Sequence, residues 1–270
     1  MTEASAISLT YGELALASLL LWLNGALSLW LGLGLERRMA IAGVRMVVQL
    51  LLIGLILKAL FATASGWLTG LAVLVMIAVA ANEVHSRQDR RLTGLWGVSV
   101  GAVPMAAATV VVTLLALLVE VGANPWHDPR YTIPLAGIIL GSAMSGVSLG
   151  LNGLVGAVAS ERAAIEAQLA LGAARFTALR PLLRQALRSA WIPQLNQMSA
   201  AGVVTLPGMM TGQIIAGMDP VEAVKYQILI MFLLAGGAGL GTLGAVYGAA
   251  ARLTDERHRL RLDRVSERSG

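Results

Sequence analysis

The polar side chains that could bind a solute are few, and they lie within or beside long apolar runs. Arg45 and Gln49 are four residues apart, so a helix would place them on one face. Glu83 closes another apolar run. Ionisable residues inside a membrane are costly, which makes them candidates for a substrate path. The alternative also stays open: Arg45 could extend its charged head to the membrane surface, and Glu83 could simply end its helix.

A second set of candidates surrounds an interruption in an apolar run, GVVTLPGMMTGQIIAGMDP at 202–220. Proline removes a backbone donor and glycine adds flexibility, so a helix that enters this segment should break. In lipid such a break persists only where protein or a water-filled cavity covers it. We predict a gate or hinge beside a substrate path, with a tolerated packing kink as the alternative. The proposed hinge residues are Pro207, Gly208 and Gly212, and those proposed to contact substrate are Asn196, Met209, Met210 and Gln213.

Metal chemistry finds little support in the residue types. Methionine thioethers near the interruption would suit Cu(I), but methionine more often fills gaps in an apolar core. Fe(II) prefers imidazole and carboxylate ligands, whereas the predicted spans offer Glu83 and no histidine in mid-span. If iron crosses these spans, it would therefore pass as a chelate or through weak contacts, and no residue is assigned as a metal ligand.

Several motifs of enzyme chemistry are missing. The chain has no cysteine and no H-E-x-x-H, G-x-S-x-G or G-x-x-x-x-G-K-[ST] sequence, so it cannot bind ATP in the Walker manner and has no thiol chemistry. We expect no catalytic residue and no cofactor in this chain. If ATP and Mg²⁺ are used, a separate subunit binds them.

Composition places these residues in a membrane protein. Of 270 residues, 57% are hydrophobic and 13% are charged, where soluble domains carry about 25% charged residues. Repeated apolar runs of about 20 residues predict an all-α polytopic protein with about seven transmembrane helices in a single domain, 1–270. The predicted spans are 14–35, 39–61, 67–82, 92–119, 133–158, a broken sixth span from 181 to an interruption at 207, and 220–252.

The distribution of arginine predicts the orientation. The segments after the first, third, fifth and seventh spans carry nearly all of the arginines outside the spans. The positive-inside rule makes these segments cytoplasmic and places the N-terminus outside. The last of them, 252–270, is a basic cytoplasmic tail. The same rule explains the net charge of +5 without a nucleic-acid partner.

One cytoplasmic segment, SERAAIEAQLALGAARFTALR at 160–180, is too charged to span a membrane. Its apolar side chains fall on one stripe, which predicts one amphipathic helix with Ser160 as its N-cap, and Pro181 then starts the next helix. Such a helix either lies on the membrane surface or docks a cytoplasmic partner. The proposed coupling residues are Glu161, Arg162, Glu166, Gly172, Ala173, Arg175 and Phe176.

Two further patterns concern packing. Small residues recur every four positions, which lets helices approach closely within the chain or across a dimer. These repeats are Gly137 with Gly141 and Ser145, Gly237 with Gly241, and Gly244 with Gly248. Asp219, Pro220 and Glu222 predict a helix start after the interruption, and Glu222 can pair with Lys225.

Several segments resemble the FetB family of ABC transporter permeases. They are YTIPLAGIILG at 131–141, ERAAIEAQLALGA at 161–173, GVVTLPGMMTGQIIAGMDPVEAVKYQILIMF at 202–232, RLTDERHRLR at 252–261, RMVVQL at 45–50 and EVHSRQDRRL at 83–92. The likeness therefore covers nearly the whole chain. The spacing from Glu166 to Gly172 also resembles the loop through which ABC importer permeases contact their ATPases. The Leu-Pro of that loop is replaced by Leu182 and Leu183.

The resemblance implies a permease of the bacterial inner membrane, present as a homodimer surrounded by lipid and paired with two copies of a cytosolic ATPase, FetA. Bacterial members of the family are associated with iron export. Related plant proteins are linked to aluminium tolerance, so another metal or a sugar nucleotide is an alternative cargo. An ATP-independent secondary transporter or channel is the main alternative, because it would explain the interrupted helix equally well. A membrane anchor or sensor is a third.

Overall fold

The computed structural model describes residues 10–63, 65–118 and 128–267. Within these ranges the chain forms nine α-helices and one pair of short antiparallel strands, so the prediction of a helical architecture is confirmed. The helices are α1 (Tyr11–Trp30), α2 (Glu36–Thr63), α3 (Gly66–Ser86), α4 (Leu95–Ala116), α5 (Pro129–Ser160), α6 (Arg162–Ala170), α7 (Arg175–Ala200), α8 (Gly208–Ile215) and α9 (Pro220–Leu253). The strands are β1 (Arg90–Leu92) and β2 (Val265–Glu267).

Six helices of the described chain are long and apolar enough to cross a membrane, namely α1, α2, α3, α4, α5 and α9. They match six of the seven predicted spans, and the chain is a multi-pass membrane protein. The sixth predicted span differs, because α7 carries Arg180, Arg184 and Arg188 on its exposed face. This four-residue spacing of arginine gives α7 a polar stripe that the other long helices lack.

The amino-terminal unit consists of α1 and α2, which pack against each other. Thr10 and Glu13 form a reciprocal capping box at the start of α1. At the turn between the helices, Ser28 is buried, accepts a hydrogen bond from the Leu35 N–H and donates one to Glu36, both at 3.0 Å. No residue of α2 is buried.

The carboxy-terminal unit is built around α5 and α9, whose facing side chains are buried. The small residues of α9 permit this close packing. A Cβ at Gly237 would lie 2.7 Å from Ile139, and one at Gly244 would lie 2.6 Å from Pro104. The predicted role of the α9 glycines in helix approach is therefore confirmed, and the contacts lie within the chain.

The small-residue repeat on α5 behaves differently. A Cβ at Gly137 would approach Met76 of α3 to 3.1 Å, but one at Gly141 would meet nothing within 4 Å, and Ser145 is exposed. This stripe borders a cavity between α5, α7 and α9. The packing prediction therefore holds for only one end of the repeat.

The basic segment predicted at 252–270 is folded as far as the structure describes it. α9 continues to Leu253, and β2 pairs with β1 so that Leu92 lies opposite Val265. The Thr93 N–H donates a 2.8 Å hydrogen bond to the carbonyl of Arg264. The C-terminal segment, 254–267, is therefore held against the turn between α3 and α4.

This strand pair fixes which helix ends lie together. It joins the end of α9 to the end of α3 and the start of α4. A hydrogen bond from the Arg175 N–H to His258 adds the start of α7. We call this the clasp end of the unit. Because α9 has 34 residues and each residue rises about 1.5 Å, its first residue lies about 50 Å away, at what we call the interruption end.

Candidate functional site

The predicted coupling helix at 160–180 is in fact two helices joined by a turn. Ser160 is the last residue of α5 and does not cap α6. α7 begins at Arg175, so Pro181 lies inside a helix and does not start one. The predictions of one continuous helix, of the Ser160 cap and of a helix start at Pro181 are therefore wrong.

Gly172 is the physical reason for the interruption. Its φ of 89° lies in the left-handed region that favours glycine. The Gly172 N–H donates to the carbonyl of Leu169 at 3.0 Å, and the Ala173 N–H donates to that of Gln168 at 3.1 Å. These two bonds form a Schellman motif, which ends α6 and satisfies its last carbonyls. We call α6 together with 171–176 the coupling surface.

The coupling surface buries Ile165 and exposes its charges together with Leu171. Ile165 is 3% exposed, and Ala173 packs against the same hydrophobic core. Glu161, Arg162 and Glu166 are exposed, and Arg162 Nε bonds to Glu166 Oε1 at 2.8 Å. Exposed ion pairs contribute little to stability. These charges can therefore serve a partner without a large cost to the fold.

The start of α7 is attached to the other end of the chain. The Arg175 N–H donates to His258 Nδ1 at 3.1 Å. The ring of Phe176 lies 6.3 Å from that of Tyr247 on α9, and the Arg175 guanidinium lies 5.2 Å from the Phe176 ring. A displacement of the coupling surface would therefore be transmitted to α7 and α9 together.

Ion pairs shape the C-terminal segment itself. Asp255 accepts hydrogen bonds from the N–H groups of Arg257 and Arg259, and the Arg259 side chain reaches its second oxygen at 2.9 Å. The bond from the Arg259 backbone is the main cause that lowers the pKa of Asp255. Arg261 makes a bidentate contact with Asp263 at 2.9 and 2.8 Å, which lowers the pKa of Asp263 to about 2.

Glu83 lies in the last turn of α3, at the clasp end. Its Oε1 accepts hydrogen bonds from Arg87 at 3.1 and 3.0 Å, and its side chain is 18% exposed. The turn that follows is tied to α5 by Asn152, which accepts from the Asp89 N–H and donates to the carbonyl of Arg87. Glu83 is thus positioned next to the hydrogen-bonded turn that holds α3 and α5 together.

The predicted interruption before Pro207 is confirmed, and it is wider than predicted. α7 ends at Ala200, and α8 begins at Gly208 with Pro207 at its N-cap position. Between them Gly202 adopts a φ of 85° and donates its N–H to the carbonyl of Thr205 at 2.9 Å. The helix therefore stops at a glycine turn, well before the proline.

The start of α9 follows its sequence signals. Asp219 accepts hydrogen bonds from the N–H groups of Val221 and Glu222 at 2.9 and 3.3 Å, with Pro220 as the first helical residue. Lys225 pairs with Glu222 at 2.6 Å. Both predictions at this helix start are confirmed.

Within the carboxy-terminal unit, the residues proposed for substrate contact do not form one cluster. Met209, Met210 and Gln213 share the short helix α8 with the proposed hinge residue Gly212, and Asn196 is exposed on α7 before it. A Cβ at Gly208 or Gly212 would meet nothing within 4 Å. All of these residues lie towards the interruption end, whereas Glu83 lies at the clasp end. Arg45 and Gln49 are exposed on α2, in the amino-terminal unit.

Among the described residues, no group of three or more His, Asp or Glu side chains is placed so that it could hold a metal ion. Glu83 is engaged by Arg87, and α8 offers thioether, amide and hydroxyl groups. These donors do not form the imidazole and carboxylate set that Fe(II) favours.

A cavity of about 330 Å³ lies between α5, α7 and α9, near the middle of α5 and α9. Its polar groups are Ser142, Ser145, Gln194 and Gln197. The Ser142 hydroxyl donates to Gln194 Oε1 at 2.9 Å. Gln194 is 6% exposed, and its Nε2 has no hydrogen-bond partner among the described residues. The cavity therefore contains hydrogen-bonding capacity that the described chain does not satisfy.

Residues 11–254 match the model of a family described as "Uncharacterised protein family (UPF0014)". The chain belongs to the UPF0014 family. A UPF0014 membrane protein of Synechocystis is 37% identical over 86% of this chain and 89% of its own length. The Escherichia coli "Probable iron export permease protein FetB" is 34% identical over 94% and 95% of the two chains. The Arabidopsis "Protein ALUMINUM SENSITIVE 3" is 32% identical over 80% and 77%. No solved structure matches the chain.

Two features of this UPF0014 protein escaped the sequence analysis. Gln194 continues the buried face of α7 four residues after Ala190, and a polar side chain in that position signals a buried hydrogen-bonding site. Asn196, which was predicted from the sequence, lies two residues further and faces outward. His258 carried no sequence signal, because its partner is a backbone N–H 83 residues away.

Proposed function

We propose that this UPF0014 protein is the transmembrane permease subunit of an ABC exporter. It would move iron, or an iron chelate, out of the cytoplasm, using ATP hydrolysed by a separate FetA-like subunit. The observation that carries the proposal is the match to the Escherichia coli probable iron export permease FetB, which extends over 95% of that protein. The absence of a Walker motif requires that the ATPase be a separate subunit.

The proposed topology has seven spans, with the N-terminus outside and the C-terminus in the cytoplasm. α7 lacks the composition of a lipid-exposed span, but its geometry supports a crossing. Its first residue lies at the clasp end, and α9 starts at the interruption end. The chain from Arg175 to Pro220 must therefore pass from one end of the unit to the other. The arginine stripe of α7 then faces protein or water and avoids lipid.

The coupling surface is the proposed docking site for the ATPase. It lies at the clasp end, which the positive-inside rule makes cytoplasmic. Its charged residues and Leu171 are exposed, and Ile165 anchors it in the core. Movement of the ATPases would displace α6 and the start of α7. The interruption at 201–207 would then act as the hinge that opens or closes the path, in an alternating-access cycle.

The proposed assembly contains two copies of the permease and two ATPases in the bacterial inner membrane. Glu83, Met209 and the other contact residues are proposed to line the path. Another metal or a sugar nucleotide is the alternative cargo. An ATP-independent secondary transporter is the alternative mechanism, because its substrate sites also use discontinuous helices.

Iron uptake into inverted vesicles that contain both subunits tests the path residues. We expect Glu83→Gln and Met209→Ala to reduce uptake, while Lys225→Gln, at an exposed ion pair, leaves it unchanged. Unchanged uptake in both path variants would remove these residues from the path. Stimulation of the ATPase by the transported solute would argue against a role as anchor or sensor.

A further inference from the structure

We infer that the cavity between α5, α7 and α9 is a binding site for an uncharged solute that carries hydroxyl or carbonyl oxygens. This inference rests on the proposed permease function only in placing the cavity beside the transport path. The binding site itself is argued from the cavity.

The buried amide of Gln194 is only partly satisfied. A buried polar group without a partner is costly, so such groups are rare unless water or a ligand completes them. The Ser142 hydroxyl donates a hydrogen bond to Oε1 of the amide, and Nε2 has no partner among the described residues. If the amide oxygen and nitrogen exchange places, one of them still faces Ser142 and the other still lacks a partner. A hydroxyl group can donate or accept, so it completes the amide in either orientation.

The size of the cavity also suits a small molecule. At about 330 Å³ it falls in the size range of small-molecule sites, which begins at roughly 300 Å³. Gly137 and Gly141 leave room along its α5 wall beside Ile138. The cavity is thus large enough for a solute of several heavy atoms as well as for a water molecule.

The polar groups that line the cavity decide which class of solute it can hold. Its polar groups are two serine hydroxyls and two glutamine amides, and no charged side chain of the described chain lines it. Burial of an unpaired charge is much more costly than burial of a hydrogen-bonded neutral group. A bare divalent cation would also lack carboxylate or imidazole ligands. The lining therefore favours a neutral, oxygen-bearing solute over a bare cation or an anion.

The absence of cysteine from the chain makes a direct binding test possible. We would introduce Ser145→Cys at the exposed side of the cavity and measure, by mass spectrometry, its rate of modification by methyl methanethiosulfonate. The protein is the full-length permease in lipid nanodiscs. The neutral probes are glycerol, glucose and N-acetylglucosamine, and the charged probes are Fe²⁺ and inorganic phosphate. Ser189→Cys, exposed on another face of α7, is the matched control.

We expect at least one neutral probe to slow modification of the Ser145→Cys protein threefold or more at saturation, with no effect on the Ser189→Cys protein. Adding Gln194→Leu should abolish this protection, measured against the rate of the same double variant in the absence of probe. If that variant fails to fold, Ser142→Ala, which removes the hydroxyl that holds the amide, should weaken protection instead. Failure of all three neutral probes, protection by Fe²⁺ alone, or full protection in both variants would overturn the inference.

This assay requires neither ATP nor the ATPase. If no probe protects the cysteine but ATP-dependent transport is intact, only the binding site is refuted. Protection without ATP-dependent transport would leave the binding site in place and refute the proposed permease function.

Discussion

The backbone N–H of Arg175 donates a 3.1 Å hydrogen bond to Nδ1 of His258, and this bond joins the first residue of α7 to the segment that follows α9. The two helices whose other ends flank the interruption are therefore linked at the clasp end. Movement of the coupling surface would not act on α7 alone. The C-terminal segment, which also pairs with β1, would carry the same displacement to α3 and α4.

Removing the His258 side chain should loosen this link. A single exposed hydrogen bond is worth about 0.5–1 kcal/mol, so His258→Ala should speed amide exchange in 171–178 and 254–267 about twofold to fivefold, as measured by hydrogen–deuterium exchange mass spectrometry. His258 has a φ of 55°, which asparagine tolerates, and the asparagine side chain can accept a hydrogen bond. His258→Asn should therefore retain much of the protection. Equal exchange in the wild-type and alanine proteins would show that the bond does not hold the segment.

The charges of α6 should matter for ATPase binding more than for stability. Because the pair of Arg162 and Glu166 is exposed, Glu166→Ala should change the free energy of unfolding by less than about 1 kcal/mol. Loss of a contact worth about 1 kcal/mol would reduce the affinity for the ATPase about fivefold. Quantitative co-purification of the ATPase measures this change.

The matched control for that experiment is Glu222→Ala, which removes a similar exposed pair with Lys225 at the interruption end. This variant should bind the ATPase normally. Equal loss of binding in the two variants would contradict the assignment of α6 as the docking site.

Alanine substitution should have opposite effects at two glycines. Gly172 has a positive φ and open space around it, so Gly172→Ala should destabilise the protein by about 1–2 kcal/mol through backbone strain alone. Gly212 lies in α8 with equally open space, so Gly212→Ala should be neutral or stabilise by up to about 1 kcal/mol. Chemical denaturation in detergent measures both effects. Destabilisation by Gly212→Ala would contradict the helical geometry of α8.

Gly212→Ala also tests the hinge. If α8 bends during transport, this variant should slow transport even though it does not lower stability. Normal transport by the Gly212→Ala protein would remove Gly212 from the hinge.

Acid should release the C-terminal segment. The pKa values of Asp255 and Asp263 are lowered in the folded protein, that of Asp263 to about 2. Their stabilising contribution is therefore complete above the ordinary aspartate pKa of about 3.9 and is lost as the pH falls through the lowered values. A spin label on Ser266→Cys should become more mobile between about pH 4 and pH 2. A spin label that becomes more mobile only as the pH rises would contradict the predicted direction of the pH dependence.

The parts of the fold that could be predicted from sequence are those fixed by local rules. The cap formed by Asp219, the break before Pro207 and the close approach at Gly237 each follow from neighbouring residues or helical spacing. The features that were missed depend on contacts between distant residues. The pairing of β1 with β2 and the bond from Arg175 to His258 join segments far apart in the chain.

The candidate site could be predicted only in part, for a related reason. Gly172 was predicted as a coupling residue, but the apolar stripe that runs through it favours one continuous helix. Only the left-handed φ of Gly172 shows that the helix ends there. The repeat of Gly137, Gly141 and Ser145 predicts close packing, and only the position of α7 shows that part of it borders a cavity. Spacing identifies the face of a helix, but it does not identify what lies opposite.

The dependence of transport on ATP tests the central claim most directly. The purified permease and its cytosolic ATPase would be reconstituted in proteoliposomes, and movement of iron, iron chelates and sugar nucleotides from the side that carries the ATPase would be measured. We predict transport of an iron species that requires both subunits and hydrolysable ATP and that is lost with a hydrolysis-deficient ATPase. The same rate of transport by the permease alone, without ATP, would contradict the account.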